Sequence, residues 1–166
     1  SVETLTNLLE DILVFGKTEQ SELTAVSILF DPIELCKRVI EEIKIIDSGQ
    51  HIFEFFSNEK SFKISSDRQL IRYIIVNLLG NSIKYSDNNT VIRLEFINNT
   101  EDFKIKVIDN GFGISEEDQK HLFKAFFRGE KNIGTIKGFG LGLNIVHRAV
   151  VALKGEMQPI QEGGTA

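Results

Sequence analysis

The chain has a single cysteine, Cys36, in 166 residues. No intrachain disulfide can form, and a lone thiol fits a reducing compartment. Cys36 shares helical spacing with Leu35, Val39, Ile40 and Ile43, which makes it a core thiol. No apolar run approaches the ~20 residues of a transmembrane helix, and the N-terminus carries no signal-peptide pattern. Repeats and low-complexity tracts are absent as well. A basic excess is also lacking, because the net charge is −5. Residues 1–48 hold ten acids and four bases, and the remainder fourteen and fifteen. That is not the footprint of a nucleic-acid binder. Two common phosphate signatures are missing too. Gly16-Lys17-Thr18 has Asp11 where a Walker loop needs glycine, and the later glycine cluster lacks the strand and spacing of the dinucleotide fingerprint.

What is present fits one compact domain with a helical extension, at 42% hydrophobic residues. Residues 2–15 read as a helix with a short seam of Val2, Leu5, Leu9 and Ile12. Ala25–Phe30 reads as a strand. Asp31-Pro32-Ile33-Glu34 starts a helix to about Asp47, with Asp as N-cap and Pro at the first turn. His51–Phe56 and Phe62–Ser65 read as strands. Asp67–Ser86 is an apolar helix carrying Leu70, Ile71, Ile74, Ile75, Leu78, Leu79 and Ile83. Thr90–Ile97 and Phe103–Asp109 alternate as a hairpin. Ser115 starts a helix expected to reach Phe127, and residues 128–139 read as a mobile loop. A last helix runs from about Leu141 to Lys154 and stops at Gly155, and Met157–Gln161 reads as a strand. Helices mixed with hairpin strands predict an α/β (α+β) two-layer sandwich, a sheet with helices on one face.

Three features carry chemistry. Asn77, Asn81, Lys84 and Tyr85 recur along one side of the 67–86 helix. The Asn81 amide offers oxygen to a hard cation, Lys84 can neutralise phosphate, and the Tyr85 ring can lie on a base. Asp109 ends the apolar face of its strand, where an unpaired charge is costly. It either accepts from an outside donor such as the adenine amine or bonds back to the Asn110-Gly111 turn. Gly111 and Gly113 permit a tight turn and a close backbone approach. Gly138, Gly140 and Gly142 lie at the entrance to the last helix, where free N–H groups favour phosphate. Around them, Lys120, Lys124, Arg128, Lys131, Lys137 and Arg148 face only Glu130 over residues 120–148. Such a segment suits a polyphosphate, although a solvated surface has the same composition.

Four segments in order resemble the ATP-binding catalytic domain of two-component sensor histidine kinases, in the superfamily shared with gyrase, the large dimeric chaperone and mismatch-repair ATPases. NLLGNSIKYS is similar to the N box, DNGFGIS to the G1 box, HLFKAFFRG to the F box and GFGLGL to the G2 box. The resemblance spans about residues 24–166. Residues 1–23, with LLEDILVFGKTEQSEL, resemble the end of the second helix of a dimerisation hairpin.

The resemblance implies a mixed sheet backed by three helices, with ATP and Mg²⁺ as ligands. By it, Asn81 binds Mg²⁺, Lys84 contacts phosphate and Tyr85 stacks on adenine, and Asn81 and Lys84 count as the catalytic pair. Asp109 takes the adenine amine over Gly111 and Gly113. Asn77, Ile114, Lys137 and Leu141 join the nucleotide-binding positions. Phe123, Phe126, Phe127 and Arg128 anchor a lid that Gly138, Gly140 and Gly142 hinge. The implied partners are the kinase's own dimerisation hairpin, as a homodimer, and a response regulator, in the cytoplasm. None of His51, His121 and His147 is followed by an acidic residue, so the phospho-accepting histidine is expected outside this chain. The resemblance places the family's final strand after Gly163-Gly164, so a fragment of a longer kinase is expected. The main alternative is an ATP-hydrolysing switch of the same superfamily. That branch has a glutamate base four residues before the metal Asn, where this sequence has Asn77, which cannot accept a proton at neutral pH. A degenerate interaction module and a serine-directed anti-sigma kinase are further alternatives.

Overall fold

The structure is a computed structural model that describes residues 25–111, 113–121 and 142–159. The described residues fall in two units, Val26–Gly113 in one and Ala25 with Ile114–Pro159 in the other.

In the first unit, β1 (Ile28–Phe30) pairs antiparallel with β3 (Ile64–Ser66), and β2 (Ile52–Ser57), β4 (Val91–Asn98) and β5 (Phe103–Ile108) form a separate sheet in the order β2-β4-β5. That sheet is mixed: β4 runs parallel to β2, with Phe55 opposite Leu94, and antiparallel to β5, with Phe96 opposite Ile105. The long helices α1 (Pro32–Asp47) and α2 (Arg68–Tyr85) pack on each other; α1 also touches β2 and β4, and α2 touches β4 and β5. This is the expected two-layer arrangement, with helices on the sheet.

Local chemistry accounts for both helix starts. The Asp31 carboxylate accepts from the N–H groups of Ile33 and Glu34, and Pro32 fills the first turn, where a missing N–H costs nothing. Asp67 caps α2 by accepting from Leu70 N–H at 3.0 Å, and its second oxygen accepts from Val26 N–H at 2.8 Å. One carboxylate thus ties the approach to β1 to the start of α2. Past the end of α1, Ser48 takes a left-handed conformation, φ 56°.

The core follows the helical and strand periods. Leu35, Cys36, Val39, Ile40 and Ile43 are buried on α1, Ile71, Ile74, Ile75 and Leu79 on α2, and Ile92, Leu94 and Phe96 on β4. Leu70, Leu78 and Ile83 are half-buried rather than core. Phe96 stacks on Phe103, centroids 5.1 Å apart. At the hairpin, Asn58 pairs with the Asn98 backbone through both its amide groups, at 2.8 and 2.9 Å.

The second unit holds α3 (Glu116–Gln119) and α4 (Gly142–Ala152). Ser115 caps α3, accepting from Asp118 N–H at 3.1 Å. The helix does not run on as expected. Lys120 N–H and His121 N–H reach back three residues, to Glu117 O and Asp118 O, which tightens the chain into a turn. On α4, Ile145, Val146 and Ala149 are buried at helical spacing. The left-handed residue after α4 is Lys154, φ 60°, one place before the expected Gly155, whose N–H closes on Val150 O at 2.9 Å. Of the strand expected at Met157–Gln161, residues 157–159 are described and form no strand; residues 160 and 161 lie outside the described residues. The expected helix at 2–15 and the loop at 128–139 lie outside the described residues.

Candidate functional site

The end of α2 and the end of β5 meet. Asp109 stands one residue past β5, and the Ser82 hydroxyl donates to its Oδ2 at 2.6 Å. Its Oδ1 accepts from Gly111 N–H at 2.9 Å. Asp109 is therefore not the unpaired charge that the strand alternation implies: the chain supplies two donors, one of them the turn. A carboxylate has about four acceptor positions, so two bonds leave capacity for a further donor.

Gly111 is buried against the end of α2. A Cβ there would stand 2.7 Å from Tyr85 O and 2.9 Å from Asp109 Oδ1. Only glycine lets this turn close on the Tyr85 carbonyl without a shift of backbone. Gly113 has φ 74°, a conformation that L side chains rarely adopt. Tyr85, Asp87, Asn110 and Gly111 line an open cleft of about 220 Å³. Asp87 and Asn110 were not singled out from the sequence, nor was Ser82. Ser82 had a readable signal. It follows Ile75 and Leu79 at steps of four and three on the buried face of α2 and is itself buried, and a polar side chain on such a face needs a partner.

The polar stripe of α2 is placed as the period predicts. Asn77, Asn81 and Tyr85 are half-buried and Lys84 is exposed. Asn77 Nδ2 donates to Tyr73 O of its own helix at 2.9 Å. Asn81 precedes Ser82, one residue from the pair that holds Asp109. Among the described residues no group of three His, Cys, Asp or Glu could hold a metal. Asn81 could offer a cation one neutral oxygen, a donor that suits a metal already carried by phosphate.

In the second unit, Ile114 O accepts from Gln119 Nε2 at 3.2 Å, and Gly142 opens α4. Phe123, Phe126, Phe127, Arg128, Lys137, Gly138, Gly140 and Leu141 lie outside the described residues. Of the histidines, His51 is buried with its ring against Asp47, and His121 lies 3.7 Å from Glu117.

Comparison with known proteins gives the class. Residues 66–166 match the family of histidine kinase-, DNA gyrase B- and HSP90-like ATPases, and the chain belongs to that family. Within it the chain is a histidine-kinase-type ATP-binding catalytic domain, as its relatives show. It is 32% identical over 150 residues to the sensor histidine kinase YvrG of Bacillus subtilis, covering 89% of this chain and 26% of the relative. It is 29% identical over 157 residues to the adaptive-response sensory kinase SasA of Microcystis aeruginosa, covering 92% and 40%. The Acinetobacter baumannii histidine kinase AdeS superposes with a TM-score of 0.77 at 29% identity, over 98% of this chain and 75% of that one. The chain thus spans between a quarter and two-fifths of these curated relatives. No helix among the described residues is long and apolar enough to cross a membrane.

Proposed function

We propose that this chain binds Mg·ATP and passes the γ-phosphoryl group to a histidine on the dimerisation hairpin of its own kinase. The observation that carries this reading is the cluster of Ser82, Asp109, Gly111 and Tyr85, which joins the polar helix to the glycine turn. Asp109 keeps acceptor capacity for the adenine amine, and the Ser82 hydroxyl and Gly111 N–H fix the direction in which it points. The Tyr85 ring offers a face for the base beside Asn110 and Gly111. Lys84, exposed one residue earlier, is the cation for the phosphates. Asn81 would hold Mg²⁺, which supplies neutralisation of charge on the triphosphate. By the resemblance alone, Asn77, Ile114, Lys137, Leu141 and Gly142 would also be binding positions, and Phe123, Phe126, Phe127, Arg128, Gly138 and Gly140 would belong to a lid. Transfer of this kind depends on positioning and charge neutralisation more than on a protein nucleophile.

Asn77 favours phosphoryl transfer over the hydrolysing alternative. It stands where a general base for water would stand, its amide cannot take a proton, and its Nδ2 is engaged with Tyr73 O. Residues 1–23 belong, in this reading, to the dimerisation hairpin, and 24–166 to the catalytic domain. A cytoplasmic location agrees with a buried free thiol at Cys36. A response regulator is the onward partner. The histidine kinase ThkA, of similar fold at 20% identity and a TM-score of 0.72, is seen in complex with the response regulator TrrA.

The test uses γ-labelled ATP, the chain alone and the chain with a hairpin carrying an acceptor histidine. Label on the hairpin and none on the chain is expected. Acid-labile label on the chain alone contradicts the acceptor assignment, and acceptor-free turnover near ~1 s⁻¹ supports hydrolysis instead.

A further inference from the structure

Among the described residues, His51 is a buried titratable side chain that the nucleotide reading leaves without a task. His51 lies between α1 and β2, its side chain 1% exposed and that of Asp47 0%. Its Nδ1 is 2.6 Å from Asp47 Oδ1, and its backbone N–H donates to Asp47 Oδ2 at 2.8 Å. Its other ring nitrogen, Nε2, lies 3.3 Å from the carbonyl oxygen of Ser86. Ser86 is the first residue beyond α2, and both its N–H and its hydroxyl bond to Ser82 O.

The same stretch is tied down three more times. Asn89 N–H donates to Gln50 O at 2.7 Å, Ile52 N–H donates to Thr90 O at 3.0 Å, and Thr90 Oγ1 donates to Asp87 O at 2.6 Å. Residues 86–90 are thus strapped to residues 50–52. From another direction Gly111 closes on Tyr85 O. Tyr85 and Asp87, which line the cleft, are the two sequence neighbours of Ser86. A displacement of Ser86 moves both.

Stability alone does not call for this pair. A buried ion-paired or hydrogen-bonded couple can be replaced by apolar residues of similar volume at little cost. An apolar pair would fill the space, but it could not fix the direction of the Ser86 carbonyl. We propose that His51, oriented by Asp47, is a positioning residue for nucleotide binding: it holds Ser86, and through it sets Tyr85 and Asp87 at the cleft. The inference rests on the nucleotide reading of that cleft.

The test compares the full chain with Asp47→Leu/His51→Leu, which keeps the packing and removes the directed bonds, and with His51→Gln, which keeps a donor for Ser86 O. Three quantities are read: thermal unfolding, Mg·ATP affinity by calorimetry and amide exchange over residues 86–90. The double variant leaves the buried His51 N–H without its Asp47 acceptor, so it is expected to unfold below the wild-type temperature but to stay folded at 25 °C, and there to bind Mg·ATP about tenfold more weakly, or ~1.4 kcal/mol, with faster exchange at Ser86 and Asn89. His51→Gln should recover most of the affinity. A double variant with wild-type affinity and wild-type exchange overturns the proposal. If the unaltered chain binds no nucleotide, the functional reading fails. The exchange then decides the clamp: unchanged protection over 86–90 refutes it, and lost protection keeps it as a clamp on this cleft.

Discussion

Ser82 donates its hydroxyl to Asp109 at 2.6 Å across 27 positions of sequence. This bond joins the two segments that the nucleotide reading depends on, and it is made inside the protein. Ser82→Ala should strip one donor from a carboxylate with little else to replace it. Such a loss typically costs about 1–3 kcal/mol. Urea denaturation of the variant should show that loss without a change in slope. An unchanged midpoint would mean the bond is not formed in solution.

Gly111 should tolerate no side chain. A Cβ would meet Tyr85 O at 2.7 Å, and neither backbone can yield without moving the end of α2 or the turn. Gly111→Ala is expected to destabilise by ~1–3 kcal/mol, as for overpacking. Gly80→Ala is the control, because nothing lies within 4 Å of its Cβ position. Equal stability of the two variants would contradict the close approach.

Asp31 should make the start of α1 sensitive to acid. Burial works to raise its pKa, but bonds from Ser61 Oγ and from the Ile33 and Glu34 N–H groups, with the charge of Lys63, outweigh that and hold it below the ordinary 3.8. A lowered folded value means the contribution is complete above 3.8 and is lost as pH falls through the folded value. Asp31→Ala should cost ~0.5–2 kcal/mol at neutral pH, as for a lost N-cap. The gap to wild type should close in acid. A gap that stays constant down to strongly acidic pH rules against this account.

Cys36 should be inert while the chain is folded. Burial, with the Asp31 charge adding to it, pushes its thiol up to about 12 from 9.0, and only thiolate reacts. A disulfide reagent at mildly alkaline pH should label it at the rate of unfolding. Because the folded value lies above the unfolded one, this thiol's contribution to stability is full below 9.0 and is lost as pH rises toward about 12. Fast labelling under native conditions would show that the thiol is accessible.

Elements with strong local chemistry were legible in the sequence. Asp31-Pro32 and Asp67 announce helix starts that the structure reproduces, and the alternation of β4 and β5 gave their pairing. The polar stripe could be placed because Asn77, Asn81 and Tyr85 obey the helical period. What could not be read is tertiary. The partner of Ser82 lies beyond another element, Asp87 reaches the cleft in a stretch that folds back on residues 50–52, and Asn110 reaches it through the turn that closes on Tyr85 O. The Asp47–His51 pair was hidden for the same reason: the significance of its ring depends on Ser86, 35 positions away. Met157–Pro159 show the opposite error. A strand was expected over Met157–Gln161, but none forms over the described residues 157–159, where Pro159 has no N–H to give a ladder.

The most direct measurement is calorimetric titration of Mg·ATP and Mg·GTP into the chain and into Asp109→Asn. If Asp109 reads the adenine amine from the end of β5, the wild type binds ATP in clear preference to GTP. Asp109→Asn should then lose ~1–3 kcal/mol of ATP affinity with little change for GTP. Equal ATP affinity in the two proteins, or equal ATP and GTP affinity in the wild type, would contradict the account.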